Sequence, residues 1–224
     1  MLTRLAIFDL DGTLIDSLGD LADAMNVVLS EKKYPVHPRD SYRHFVGDGI
    51  EMLVRRALPP ETADGPEVAD FVALLREEYS TRCLATTRPF PGIPELLVAL
   101  QARKVRTAVL SNKPDSPTRQ IVGDLFEDSV FEIVRGARDS VPLKPDPTAA
   151  LDIVTELGIS AGHSIFIGDT PVDMATGRNA GMRTVGVTWG FRDTDELAEA
   201  GANHIIHQPL ELLGYLDFLS DEPS

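Results

Sequence analysis

The stretch Leu5-Ala6-Ile7-Phe8-Asp9-Leu10-Asp11-Gly12-Thr13-Leu14 constrains the fold more than any other part of the chain. Leu5 to Phe8 is a short apolar run, the pattern of a central parallel strand buried on both faces. Two acids follow, one residue apart. On alternate strand positions Asp9 and Asp11 point to the same side, where a cation or a proton relieves their repulsion. Open α/β sheets bind ligands outside the carboxyl ends of their strands, which is where these acids fall. An Asp-Gly pair alone is an ordinary turn signal. The weight lies on the whole string.

Two textures follow in the chain. After Ser17, a plausible N-cap, Leu18, Leu21, Met25, Val28 and Leu29 recur at helical spacing. Short helices are expected over Arg39–Val46 and Ile50–Leu58, separated by Gly47-Asp48-Gly49. A longer one is expected over Glu67–Leu84, with no strand between Leu18 and Thr87. From Phe90 onward strands and helices alternate. Strands are expected at Arg106–Leu110, Val130–Val134, Ser164–Ile167, Arg183–Val187 and Asn203–Ile206. Alternation of this kind implies βαβ crossovers and a parallel sheet. The expectation is an α/β protein whose Rossmann-like parallel-sheet core (residues 1–16 and 88–224) carries an inserted all-helical cap domain (residues 17–87). Its two crossings would let the insert move as a lid.

Three further strand ends carry polar groups. Ser111-Asn112-Lys113 follows one strand, where a hydroxyl alone is often only a helix cap. Lys144 precedes Pro145 and so lies on a loop. In Gly168-Asp169-Thr170-Pro171-Val172-Asp173, Asp169 stands at a strand end and Asp173 in the first turn of the helix that Pro171 opens. Helix-terminal charge stabilisation explains Asp173 fairly well and Asp169 poorly.

Together these four segments, in this order and at strand ends, resemble the four motifs of the haloacid dehalogenase-like phosphohydrolases. The resemblance spans nearly the whole chain, with the helical insert in the position of that family's cap. It implies an enzyme that uses Asp9 as nucleophile, forming an aspartyl-phosphate. Asp11 would protonate the leaving alkoxide and then take a proton from water, a role that needs a raised pKa. The family pattern implies Mg²⁺ held by the Asp9 carboxylate, the Asp11 main-chain carbonyl and Asp169, with Asp173 acting through water. Ser111 and Lys144 would grip the phosphoryl oxygens, helped by backbone N–H groups near Gly12 and Asn112.

Several strings look more like the phosphoglycolate phosphatase group: Phe45-Val46-Gly47-Asp48-Gly49, Lys144-Pro145-Asp146-Pro147 and Val187-Thr188-Trp189-Gly190-Phe191. Gly47 and Gly49 would allow close backbone approach to a ligand. Arg43, Arg55 or Arg56 could pair with a substrate carboxylate, and Arg55 is the candidate carried forward. The same fold also serves sugar-phosphate phosphatases, pyrophosphatases and phosphomutases. A different class, phospho-accepting signalling domains, shares acids, a hydroxyl and a lysine at parallel strand ends, but lacks the inserted helices and Asp11. With 21 basic against 35 acidic residues, the net charge is −14. That balance argues against a nucleic-acid partner and leaves a small phosphorylated metabolite. The single cysteine, Cys83, excludes an intrachain disulfide and is expected to be a packing residue. No apolar stretch approaches bilayer length. A cytoplasmic monomer or homodimer with no membrane partner is the expectation.

Overall fold

In the computed structural model, which describes residues 4–221, the chain is built on a six-stranded sheet in which each neighbouring pair is parallel. The first strand, β1 (Leu5–Phe8), is buried along its whole length. Its alternation sends Leu5 and Ile7 into one apolar cluster, Ala6 and Phe8 into the other. After β1 the chain turns sharply, with Gly12 at φ +89° and the Gly12 N–H donating to the Ile15 carbonyl at 2.9 Å. It then makes a two-residue strand, β2 (Ile15–Asp16).

Four helices follow: α1 (Leu18–Glu31), α2 (Tyr42–Phe45), α3 (Ile50–Ala57) and α4 (Val68–Arg82). They pack on one another through Leu21, Met25, Leu53, Val54, Phe71 and Leu75, all buried. The chain returns through β3 (Arg88–Pro89), which pairs antiparallel with β2 so that Asp16 faces Arg88. This short pair ties the entry and exit of the helical block, and sequence periodicity cannot register strands of two residues. Asp20 of α1 reinforces the tie by accepting hydrogen bonds from the backbone N–H and hydroxyl groups of both Thr86 and Thr87. Burial alone would raise the Asp20 carboxyl, but these bonds outweigh it and hold it below the ordinary carboxylate range.

The rest of the chain alternates: α5 (Ile93–Ala102), β4 (Arg106–Pro114), α6 (Asp115–Leu125), β5 (Ile133–Ala137), α7 (Thr148–Glu156), β6 (Ser164–Gly168), α8 (Pro171–Asn179), β7 (Arg183–Val187), α9 (Thr194–Glu199), β8 (His204–Ile206) and α10 (Glu211–Asp221). The strand order is β5-β4-β1-β6-β7-β8. Winding runs outward from β1 in one direction and then, from β6, in the other. The switch point therefore lies at the carboxyl end of β1.

Two strands differ from the sequence expectation by more than one residue. β4 does not stop at Leu110 but continues to Pro114, with a register shift against β5 between those residues. Gly136 makes this possible, because a Cβ there would lie 2.5 Å from the Asp115 Cα and 2.6 Å from the Lys113 carbonyl oxygen. β5 begins at Ile133 rather than Val130. The first residues of that apolar run are used as a plug: Phe131 stacks edge-on against Phe8 and Phe126, and the Val130 carbonyl accepts the Thr107 hydroxyl.

Candidate active site

The carboxyl ends of β1, β4 and β6 bring two distinct charge clusters together. In the first, Asp9, Asp169 and Asp173 place carboxylate oxygens within 4.8 Å of one another, all buried. Lys144 bridges two of them, donating to Asp9 Oδ1 at 2.7 Å and Asp173 Oδ1 at 2.6 Å. Asp173 also closes a capping box on α8, its Oδ2 accepting the Thr170 backbone N–H and hydroxyl. Structural and electrostatic duties thus meet in this one residue. Among the described residues Asp169 touches no cation; it accepts from the Thr13 hydroxyl at 3.0 Å and the Phe191 N–H at 2.8 Å. Gly12 is obligatory beside it, because a Cβ there would lie 2.2 Å from Asp169 Oδ2.

Three buried acids against one ammonium leave this cluster under-neutralised. Burial pushes the Asp9 carboxyl up to about 7, with repulsion from Asp173 and Asp11 adding to the lift and Lys144 opposing it. Burial, then Asp173 and Asp9, raise Asp169 well above its ordinary value. Burial works to discharge Lys144, but Asp173 and Asp9 outweigh it and hold the ammonium above the ordinary lysine range. An all-oxygen donor set with excess negative charge fits a hard divalent cation. The Asp11 carboxylate does not belong to this set.

The second cluster is neutral. Asp11 turns to Lys113, whose Nζ lies 3.0 and 3.1 Å from its two oxygens, and it accepts the Ser17 hydroxyl at 2.5 Å. Ser17, expected as the cap of α1, makes no side-chain cap there and serves Asp11 instead. Lys113 was missed as a site residue because β4 was expected to end too early. Extending the strand puts Ser111 and Lys113 on one face, and that alternation is the signal that finds it.

A cavity of about 390 Å³ opens over both clusters, lined by Asp9, Asp11, Ser111 and Asn112 from the sheet side and by Gly47 and Gly49 from the helical block. Gly47 and Gly49 have φ of +123° and +91°, a region glycine enters freely. The Ser111 Oγ accepts the Lys113 N–H at 3.2 Å, which leaves its hydroxyl proton to donate. The Asn112 side chain is a brace: it accepts the Lys144 N–H at 2.8 Å and donates to the carbonyls of Lys144 and Gly47. Arg55, expected at a substrate carboxylate, is elsewhere. It pairs with Glu51 and Asp64, both at 2.8 Å, and does not line the cavity. Its neighbours on α3 and on the following turn supply acids that claim it first.

The helical block is latched over the site by the loop after β7. Trp189 Nε1 fixes this loop to the turn after β1, donating to the Thr13 carbonyl at 3.0 Å. Arg43 donates to the Gly190 carbonyl at 2.8 Å, while Arg192 donates back to the carbonyls of Arg43 and Val46. Among the described residues no helix is long and apolar enough to cross a membrane.

This fold, with acids at the switch point and a cation-bridged cluster, is that of a haloacid dehalogenase-like hydrolase. The chain belongs to that family, whose model matches residues 6–187. Its relatives include phosphoglycolate phosphatases. It is 32% identical over 226 residues to the phosphoglycolate phosphatase of Rhodospirillum rubrum, covering 96% of this chain and 91% of that protein. The phosphoglycolate phosphatase of Psychrobacter arcticus is 33% identical, with 95% of each chain covered. Among solved structures, a predicted phosphoglycolate phosphatase from Haemophilus somnus superposes with a TM-score of 0.88 at 26% identity, covering 95% of this chain and 97% of that one.

Proposed function

We propose that the chain is a Mg²⁺-dependent phosphatase that hydrolyses a small phosphate monoester of the 2-phosphoglycolate type, through a phosphorylated Asp9. The observation that carries this reading is the convergence of Asp9, Asp169, Asp173 and Lys144 beside the Asp11–Lys113 pair, under a cavity sized for a small ester. Residues 17–87 act as a cap that excludes water and bulky substrates.

Asp9 is the nucleophile because it stands between the cation-holding acids and the cavity. A phosphate ester offers little covalent chemistry to assist, so positioning and charge neutralisation dominate. Lys144 and the Ser111 hydroxyl hold the phosphoryl oxygens, and Asn112 keeps the Lys144 backbone in register. Asp11 takes up a proton as the phosphate ester binds and passes it to the ester oxygen as the Asp9 oxygen attacks phosphorus and the P–O ester bond breaks. In the second half Asp11, held as an acceptor by Lys113 and Ser17, takes a proton from the water that attacks the aspartyl-phosphate. Asp9, Asp169 and Asp173, with the Asp11 carbonyl, would hold Mg²⁺, which when bound neutralises the acids and polarises the phosphoryl group. The protein works as a monomer or homodimer on a soluble metabolite in the cytoplasm.

Phosphate release from 2-phosphoglycolate, sugar phosphates, nucleoside monophosphates and pyrophosphate tests this reading, each with Mg²⁺, with EDTA and with Asp9→Asn. The expected result is preference for 2-phosphoglycolate and loss of turnover on the order of 10⁴-fold or more in the variant, as for removal of other enzyme nucleophiles. Turnover that survives Asp9→Asn would sink the proposed chemistry.

A further inference from the structure

The helical block carries six arginines: Arg39, Arg43, Arg55, Arg56, Arg76 and Arg82. Five are engaged. Arg39 faces Asp16, Arg43 the Gly190 carbonyl, Arg55 its two acids, Arg56 Asp48 at 2.5 Å and Arg82 Glu78. Arg76 alone has no hydrogen-bond or ion-pair partner among the described residues, and it is also the only one of the six that lines the cavity.

The cavity's other charged residues make that position consequential. Asp9, Asp11 and Asp139 are acids, and Lys113 is already taken by Asp11. An anionic ester entering this space meets one cation with nothing to hold, and that cation is Arg76. One turn further along α4, Tyr79 also lines the cavity. It is only 5% exposed; its buried hydroxyl meets no partner at hydrogen-bond geometry, and the Lys113 ammonium lies over its ring at 4.5 Å. An orphaned buried hydroxyl is a standing cost that a bound acceptor removes. Residues 76 and 79 are three apart on a helix and so share a face. The other side chains that the helical block contributes before α4, Leu21, Val46, Ile50 and Leu53, are apolar. Polar recognition on the helical side is therefore concentrated on α4.

Resting on the phosphatase reading above, we infer that Arg76 is the specificity determinant, pairing with a carboxylate at the far end of the substrate from the phosphoryl group, with the Tyr79 hydroxyl donating to the same anion. Arginine suits the task because its planar fork takes a carboxylate through two parallel hydrogen bonds. A substrate with a hydroxymethyl group in place of the carboxylate has no use for the guanidinium.

The test compares 2-phosphoglycolate with 2-hydroxyethyl phosphate, its uncharged-tail counterpart, using the full chain with Mg²⁺. The ratio of their kcat/KM values is the readout. Arg76→Ala should cut the ratio by about 10- to 100-fold, the worth of a charge-assisted pair, mostly through KM for the acid. Arg76→Lys should recover part of it. Tyr79→Phe should lower the ratio by about 10-fold, the lower end for a hydrogen bond to a charged group, without lowering Tm. A merely structural role would depress both esters together and leave the ratio where it was. An unchanged ratio in folded Arg76→Ala, or a wild-type protein that turns over both esters equally, overturns the assignment while the phosphatase reading stands. Folded wild-type protein inert on both esters overturns both.

Discussion

The two acid clusters at the end of β1 lie side by side, and they are built on opposite principles. Asp11 is matched: one ammonium, one hydroxyl, no excess charge. The Asp9–Asp169–Asp173 cluster is mismatched, with three carboxylates and, among the described residues, only Lys144 to answer them. The matched pair holds a proton acceptor in a fixed pose. The mismatched cluster stores an electrostatic demand that a divalent cation and the phosphoryl group can meet. Buried charge without full compensation is costly, so folds retain it where a ligand completes it. In the proposed mechanism this contrast gives proton handling to Asp11 and charge-demanding chemistry to the Asp9 cluster.

Removing Lys144 breaks the comparison most severely. Lys144→Met would leave three buried carboxylates with no ammonium. Without added metal it should destabilise the protein by about 3–5 kcal/mol, the usual penalty for stranding a buried charge. Urea denaturation measures it. The loss should be smaller at pH 5 than at pH 8, because at pH 5 Asp9 takes up a proton. Equal losses at both pH values would mean that the cluster is not under electrostatic tension.

Adding metal sharpens the comparison from the other direction. The folded Asp9 carboxyl sits at about 7 against an ordinary value of 3.8, so between those values the folded state binds more protons than the unfolded one. The Asp9 contribution is therefore fully present below pH 3.8 and is lost as pH rises through 7. A cation displaces that proton, so its binding strengthens as pH rises. At about 100-fold excess over Kd, Mg²⁺ should raise Tm by roughly 5–10 °C at pH 8, and by clearly less at pH 5.5. Thermal melts at the two pH values check the sign. A larger shift at the lower pH would remove the acid cluster as the binding site.

What the sequence made legible follows from the same contrast. The sheet half of the site is written in contiguous strings, because a strand end fixes several neighbours at once: Asp9 with Asp11 and Gly12, Asp169 with Asp173. Lys113 was hidden only by an early end to β4. The helical half is different. Gly47 and Gly49 were found because a glycine pair marks a turn, and the turn happens to face the cavity. Nothing in the spacing of Arg55 and Arg76 separates them. Both sit on amphipathic helices, and which one is free depends on acids brought near by folding. Glu51 lies four residues before Arg55, a ready helix pair. Weighing that pair would have demoted Arg55 in advance. No local pattern promotes Arg76.

The smallest expected effect tests that last distinction. Arg55→Ala removes two contacts to acids that are largely exposed, and exposed ion pairs contribute little. The variant should melt within about 2 °C of the wild type. Its kcat/KM for 2-phosphoglycolate should stay within about 2-fold, since the guanidinium neither lines the cavity nor braces a residue that does. Steady-state kinetics beside Arg76→Ala makes the comparison direct: two arginines on neighbouring helices, one satisfied by its own surroundings and one left for a ligand. A large loss of acid selectivity in Arg55→Ala would mean that its two acids release it when substrate arrives, and that the cavity lining does not mark the residues that read the substrate.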